Sequence, residues 1–184
     1  MAYRTGEDVM IARTTQHSAP SGRSGGLLNV HHDRHKSDER VATFMVYLST
    51  VDSAAGHGGE TYFPVAGAAQ SDALWMALEQ EHNSGCRLLT RDASLTRQCE
   101  TRLEAWRRGQ GYRLTGQVSN EGAEPHGVGT VPTAGVAVVF DAGGQGVEAG
   151  AWHGPCAVTG PEEKWTLTFF KSPAPVWSSA MLGV

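Results

Sequence analysis

The run from Arg40 to Thr50, RVATFMVYLST, constrains the fold more than any other stretch of this chain. It is nearly continuous in Val, Thr, Phe and Tyr, side chains that suit a pleated surface, and it predicts a strand. Shorter runs of similar character flank it: DVMIARTT at 8–15, TYFP at 61–64 with Pro64 as its stop, and GVAVVFD at 135–141. Strand character continues around GAWHGPCAV and ends in KWTLTFFKS at 164–172, where Trp165, Leu167 and Phe169 alternate with Lys164, Thr166 and Thr168. The chain's 23 glycines supply turns between such short pieces.

The middle of the chain has a different period. SDALWMALEQEH sets Leu74 and Leu78 four apart behind Asp72, and RDASLTRQCETRLEAWRRGQG places Leu95, Cys99, Leu103 and Trp106 on one stripe, with Asp92 as N-cap and Gly109 as stop. Two helices are expected there. The whole therefore reads as an all-β core, a sandwich or jelly roll, with a partly helical insertion at about 66–130. A length of 184 residues suits one domain, 1–184, with a loose tail at 173–184 or one packed by Val176 and Trp177. HSAPSGRSGG at 17–26 and SNEGAEPHGVGT at 119–130 read as flexible loops.

A net charge of -4 and a pI near 6.0 give no footprint for nucleic acid or an anionic membrane, so small molecules and proteins are the expected partners. No apolar run is long enough for a membrane span, and the start has no signal-peptide pattern. A cytoplasmic location is the default expectation, with the secretory pathway open if the chain is a fragment. Three cysteines are too few for a disulfide scaffold; Cys86 and Cys99 could pair in an oxidising compartment, but free thiols are expected.

The chemistry gathers in NVHHDR at 29–34. On extended backbone alternate residues share a face, so His31 and Asp33 point together and His32 points away. In a jelly roll, strands distant in sequence lie side by side, and His153 near the C-terminus can complete a site begun at His31 and Asp33. Two histidines and one carboxylate on one face of a metal leave the opposite positions open, the arrangement of non-haem Fe(II) oxygenases.

Five blocks, HHD at 31–33, RVATFMVYLS at 40–49, GGETYFP at 58–64, GVAVVFD at 135–141 and WHGPCAVTGPEEKWTLTFF at 152–170, together resemble the Fe(II)/2-oxoglutarate-dependent prolyl 4-hydroxylase family, in that family's order. The resemblance implies a double-stranded β-helix with His31, Asp33 and His153 as catalytic iron ligands. It implies that Lys164, eleven residues after His153, pairs with the remote carboxylate of 2-oxoglutarate, and that the Thr61 hydroxyl helps hold this cosubstrate. Arg40 opens the second block without a definite role. Thr14 and Leu28 stand where the family often carries tyrosines. Expected cofactors are Fe(II), 2-oxoglutarate and O2, with ascorbate as an accessory reductant. The implied reaction hydroxylates prolyl residues of a peptide or protein and releases succinate and CO2. Asp33, where a halogenating relative would carry a small residue, favours hydroxylation over halogenation. The competing reading is a decayed jelly-roll binding module that keeps the fold without turnover; a zinc hydrolase is disfavoured because no general base is well placed. Oligomeric state is open.

The remaining candidates have plainer readings. His32, His35 and His57 are expected to face solvent, and His17, His82 and His126 to lie at the surface. Trp152 and Trp165 are expected in the core, Cys156 is read as packing, and the Leu95/Leu103/Trp106 stripe as packing rather than a substrate groove.

Overall fold

Short runs of extended chain pair antiparallel into two sheets in the computed structural model, which describes residues 9–16, 26–33, 40–69, 71–83, 92–110, 127–142 and 152–171. The elements are β1 (Met10–Thr14), β2 (Ala42–Tyr47), β3 (Thr61–Phe63), α1 (Ala73–Asn83), α2 (Ala93–Gln110), β4 (Val128–Thr130), β5 (Ala137–Asp141), β6 (Gly154–Pro155) and β7 (Lys164–Lys171). The larger sheet runs β1-β7-β2-β5 and the smaller β4-β3-β6. Neighbours within each sheet come from distant parts of the sequence, as a jelly-roll core requires. The register sets Thr14 opposite Lys164, Thr43 opposite Phe170 and Tyr47 opposite Thr166.

Alternation along β2 and β7 shows which face looks inward. Thr43, Met45 and Tyr47 are buried on β2, and Lys164, Thr166, Thr168 and Phe170 on β7. The apolar set on β7 is therefore turned outward, where Phe169 stacks on Phe44 with ring centres 4.9 Å apart. Trp165, expected in the core, is 37% exposed. The reason is the period of two: once Lys164 faces between the sheets, every odd-numbered residue of the strand must face away.

The apolar core lies on the other side of the smaller sheet. Tyr62 points back from β3 into a cluster with Leu74 and Leu78 of α1, Leu103 and Trp106 of α2, and Trp152. Both helices start where expected: Asp72 Oδ1 accepts from the Leu74 and Trp75 amides at 2.9 and 3.0 Å, and Asp92 Oδ1 from those of Ser94 and Leu95 at 2.7 and 3.3 Å. Helix α2 continues past Gly109 to Gln110. Arg102 ties α2 to both neighbours, pairing with Asp72 at 2.6 and 2.8 Å and donating to the Pro64 carbonyl at 3.2 Å. Gly129 of β4 leaves room for Trp106, since a Cβ there would lie 2.5 Å from the indole.

Residues 128–130, grouped by the sequence reading with a flexible segment, form β4 and pair with β3. Residues 119–126 of that segment, the loop at 17–25 and the tail at 173–184 lie outside the described residues. Cys99 and Cys156 are buried free thiols, and Cys86 lies outside the described residues. No helix among the described residues is long and apolar enough to cross a membrane.

Candidate metal centre and its anion anchor

His31 and His153 meet through the backbone. They form an antiparallel bridge and exchange both amide hydrogen bonds at 2.8 Å, which brings their imidazoles to 4.4 Å between centres. A second bridge joins Leu27 to Cys156, so four steps on one strand match three on the other. The extra residue makes a bulge. Asn29 absorbs it with a φ of 43°, a left-handed conformation that asparagine tolerates. Its carbonyl then accepts from His31 Nδ1 at 2.6 Å, which orients the ring with Nε2 turned toward Asp33, on the side where a metal would be bound. Gly154 faces this bulge; a Cβ there would lie 2.6 Å from the Leu28 carbonyl oxygen.

Asp33 completes the group, two residues beyond His31. Its Oδ1 lies 3.5 Å from His31 Nε2 and its Oδ2 3.8 Å from His153 Nε2. Donor atoms of the three residues all lie within 4.8 Å of one another. Thr43 Oγ1 donates to Asp33 Oδ2 at 2.6 Å and Arg40 Nη1 to the Asp33 carbonyl at 2.8 Å, while the Arg40 guanidinium lies over the Phe170 ring at 3.6 Å. Burial alone would raise the Asp33 pKa; the His31 hydrogen bond, the His153 charge and Thr43 overcome it and hold the carboxyl well below the usual range. Two imidazoles and one carboxylate, oriented by their own hydrogen bonds, fit a divalent cation of the iron class.

The second part of the site lies farther along the same inner faces. Lys164 is 3% exposed, and its Nζ donates to Thr61 Oγ1 at 3.0 Å and, more weakly, to the Glu60 carbonyl at 3.5 Å. It lies 5.4 Å from the centre of the Tyr47 ring. The Tyr47 hydroxyl donates to Thr61 Oγ1 at 2.9 Å and lies 2.6 Å from Thr130 Oγ1. Among the described residues, no carboxylate forms an ion pair with Lys164. Burial pushes its pKa down from 10.5 to about 8, with Cys156 and Glu60 opposing the change. Burial also pushes the Tyr47 phenol up to about 12, so it stays protonated as a donor.

Thr61 and Phe63 share the inner face of β3 and link the two parts: Thr61 touches Lys164, while the Phe63 ring lies 5.5 Å from that of His153. Two strand residues span about 7 Å, the scale of a five-carbon dicarboxylate. Phe140 closes an aromatic wall beside the metal group, 4.6 Å from His153 and 5.1 Å from Phe63 between ring centres.

The structure thus brings together His31, Asp33 and His153, and separately Lys164 and Thr61. Sequence reasoning missed Tyr47, Thr43, Thr130 and Phe140. Of these, Tyr47 and Thr43 could have been found, since they share alternate positions of the best strand. His32 is buried, contrary to the expectation of a solvent-facing residue: it points away from the metal group, but that side is covered by Trp152, edge-on at 4.7 Å. His57 is half-buried and lies 2.9 Å from Glu162. Together with Ser49, which accepts from the Trp165 amide and donates to the Glu163 carbonyl, it secures the turn that delivers Lys164. His17, His35, His126 and the side chain of His82 lie outside the described residues. Thr14 sits opposite Lys164 in the β1–β7 register, and Leu28 lies on the bulged segment.

No curated protein matches the chain significantly. A family model does: residues 15–171, from the end of β1 to the end of β7, match the one described as the 2OG-Fe(II) oxygenase superfamily. With most of its length matched, this chain belongs to the 2OG-Fe(II) oxygenase superfamily, whose members use Fe(II) and 2-oxoglutarate.

Proposed function

We propose that the protein is a 2-oxoglutarate-dependent dioxygenase that hydroxylates prolyl residues of a peptide or protein. The observation that carries the oxygenase part is the pairing of a His31/Asp33/His153 donor set with a buried ammonium that lacks a carboxylate partner among the described residues. A buried positive charge without a counter-ion is costly, and a ligand carboxylate would supply one. In this reading His31, Asp33 and His153 hold Fe(II). Lys164, Thr61 and Tyr47 hold the remote carboxylate of 2-oxoglutarate and thereby aim its other end at the metal. The bound pair supplies the oxidising chemistry: one oxygen atom of O2 goes to the substrate C–H bond and the other to succinate, with loss of CO2.

The chain's own contribution is placement. Thr43 and Arg40 hold Asp33 at its carboxylate and its carbonyl, Asn29 orients His31, and the Phe63/Phe140 wall keeps water from one side of the metal group. The prolyl part rests on the resemblance of the five sequence blocks, and the aromatic wall beside His153 offers an apolar surface suited to a pyrrolidine ring. Leu28 and Thr14 favour the rival reading of a non-catalytic module, because neither supplies the tyrosine hydroxyl often found there in the prolyl 4-hydroxylase family. The test is incubation with Fe(II), 2-oxoglutarate, ascorbate and a library of proline-containing peptides. Succinate release coupled to a gain of one oxygen on a prolyl residue is the expected result. Coupling to a different residue type would overturn the prolyl assignment, and 2-oxoglutarate binding without any turnover would favour the module.

A further inference from the structure

A second buried charge lies beside Lys164, and it is tied to the helical excursion. Glu60 directly precedes Thr61 and is fully buried. Its carboxylate accepts both forks of the Arg107 guanidinium, Nε at 3.1 Å and Nη2 at 2.7 Å. Arg107 comes from the last turn of α2, 47 residues away in sequence, and its side chain remains 22% exposed. The Glu60 carbonyl accepts from the Cys156 amide at 2.7 Å and faces Lys164 Nζ at 3.5 Å. One residue therefore touches the lysine with its backbone while its side chain is held by the helix.

The charges near this point explain why the pairing matters. Burial pushes the Cys156 thiol up, so it stays neutral and Glu60 is the negative group at hand. An uncompensated Glu60 carboxylate would be the nearest competitor for the ammonium, and an incoming dicarboxylate would have to displace or oppose it. A bidentate arginine satisfies the carboxylate in a fixed plane, which a lysine could not do as completely.

Resting on the cosubstrate reading above, we propose that Arg107 is a positioning residue: by neutralising Glu60 it leaves Lys164 available to a ligand carboxylate, and so couples the helical excursion to 2-oxoglutarate binding. The proposal makes α2 part of the cosubstrate site without touching the cosubstrate.

The experiment measures the dissociation constant of 2-oxoglutarate on anaerobic, Fe(II)-loaded full-length protein for wild type, R107M, R107K, E60Q and E60Q/R107M, with Fe(II) affinity and thermal stability recorded for each. R107M is expected to weaken 2-oxoglutarate by about tenfold or more while Fe(II) affinity stays near wild type. R107K is expected to fall between, and E60Q/R107M to recover most of the loss because the competing charge is gone. E60Q alone, which folds without leaving a buried anion, is expected to bind 2-oxoglutarate at least as tightly as wild type. An R107M protein with wild-type affinity overturns the proposal, and so does a double variant as weak as R107M, since either would make the pair a structural tie only. Should R107M fail to fold, weaker binding by E60Q overturns it equally. Wild-type protein that binds Fe(II) but not 2-oxoglutarate would instead sink the reading on which the proposal rests.

Discussion

Replacing Lys164 with methionine separates what the buried ammonium costs the fold from what it does for the ligand. In the folded protein its pKa falls from 10.5 to about 8, first through burial. At pH 7 the side chain is protonated in both folded and unfolded chains, so the fold bears the whole cost of that drop, about 3 kcal/mol. Between about pH 8 and 10.5 the unfolded chain binds more protons than the folded one, so wild-type stability from this group rises with pH across that window. Methionine fills similar volume without the charge and gives up the hydrogen bond to Thr61, worth about 1 kcal/mol. Ligand-free K164M is therefore expected to be more stable than wild type by about 2 kcal/mol at pH 7, a rise of about 4–8 °C in Tm for a domain of this size. The same variant is expected to lose about 100-fold in 2-oxoglutarate affinity. Thermal unfolding at pH 7 and pH 10 is the assay, and the advantage should vanish at pH 10. A K164M protein less stable than wild type at pH 7, or equally stabilised at both pH values, would refute the reasoning.

Other outcomes follow from the same geometry. The affinity for 2-oxoglutarate should fall as pH rises past about 8, approaching tenfold per pH unit, because the ligand needs the charged lysine; titration from pH 7 to 9.5 checks it. T43V removes the hydroxyl that donates to Asp33 Oδ2, and its Fe(II) affinity should drop about tenfold with little loss of stability, read by metal titration and Tm. L103A should cost about 2–5 kcal/mol in urea unfolding, because Leu103 is buried in the main apolar cluster. G129A places a Cβ 2.5 Å from the Trp106 ring and should destabilise by about 1–3 kcal/mol, visible also as a change in tryptophan fluorescence.

The helices and the strands β2, β3 and β7 were legible because each carries a local signal: Asp72 and Asp92 as caps, Pro64 as a stop, and β-branched runs with the right length. What the alternation in KWTLTFF could not tell was which face is inside. That depends on the site, which draws Lys164, Thr166 and Thr168 between the sheets and leaves Trp165 outside. The middle of the chain reads as an excursion from a β-core, yet its helices and the back of the smaller sheet form the main apolar cluster. A local pattern cannot show which of two layers will hold the core. The pairing of His31 with Asp33 was visible in their spacing; the bulge at Asn29 was not, because it is a mismatch between two segments far apart in sequence. Arg107 and Glu60 were invisible for the same reason.

The most direct test is anaerobic titration of the Fe(II)-loaded protein with 2-oxoglutarate, followed by the weak visible charge-transfer band of the chelate. The account predicts a saturable band in wild type that is absent in H153A. Wild-type protein that binds iron without developing the band, or that binds no iron at all, would contradict it.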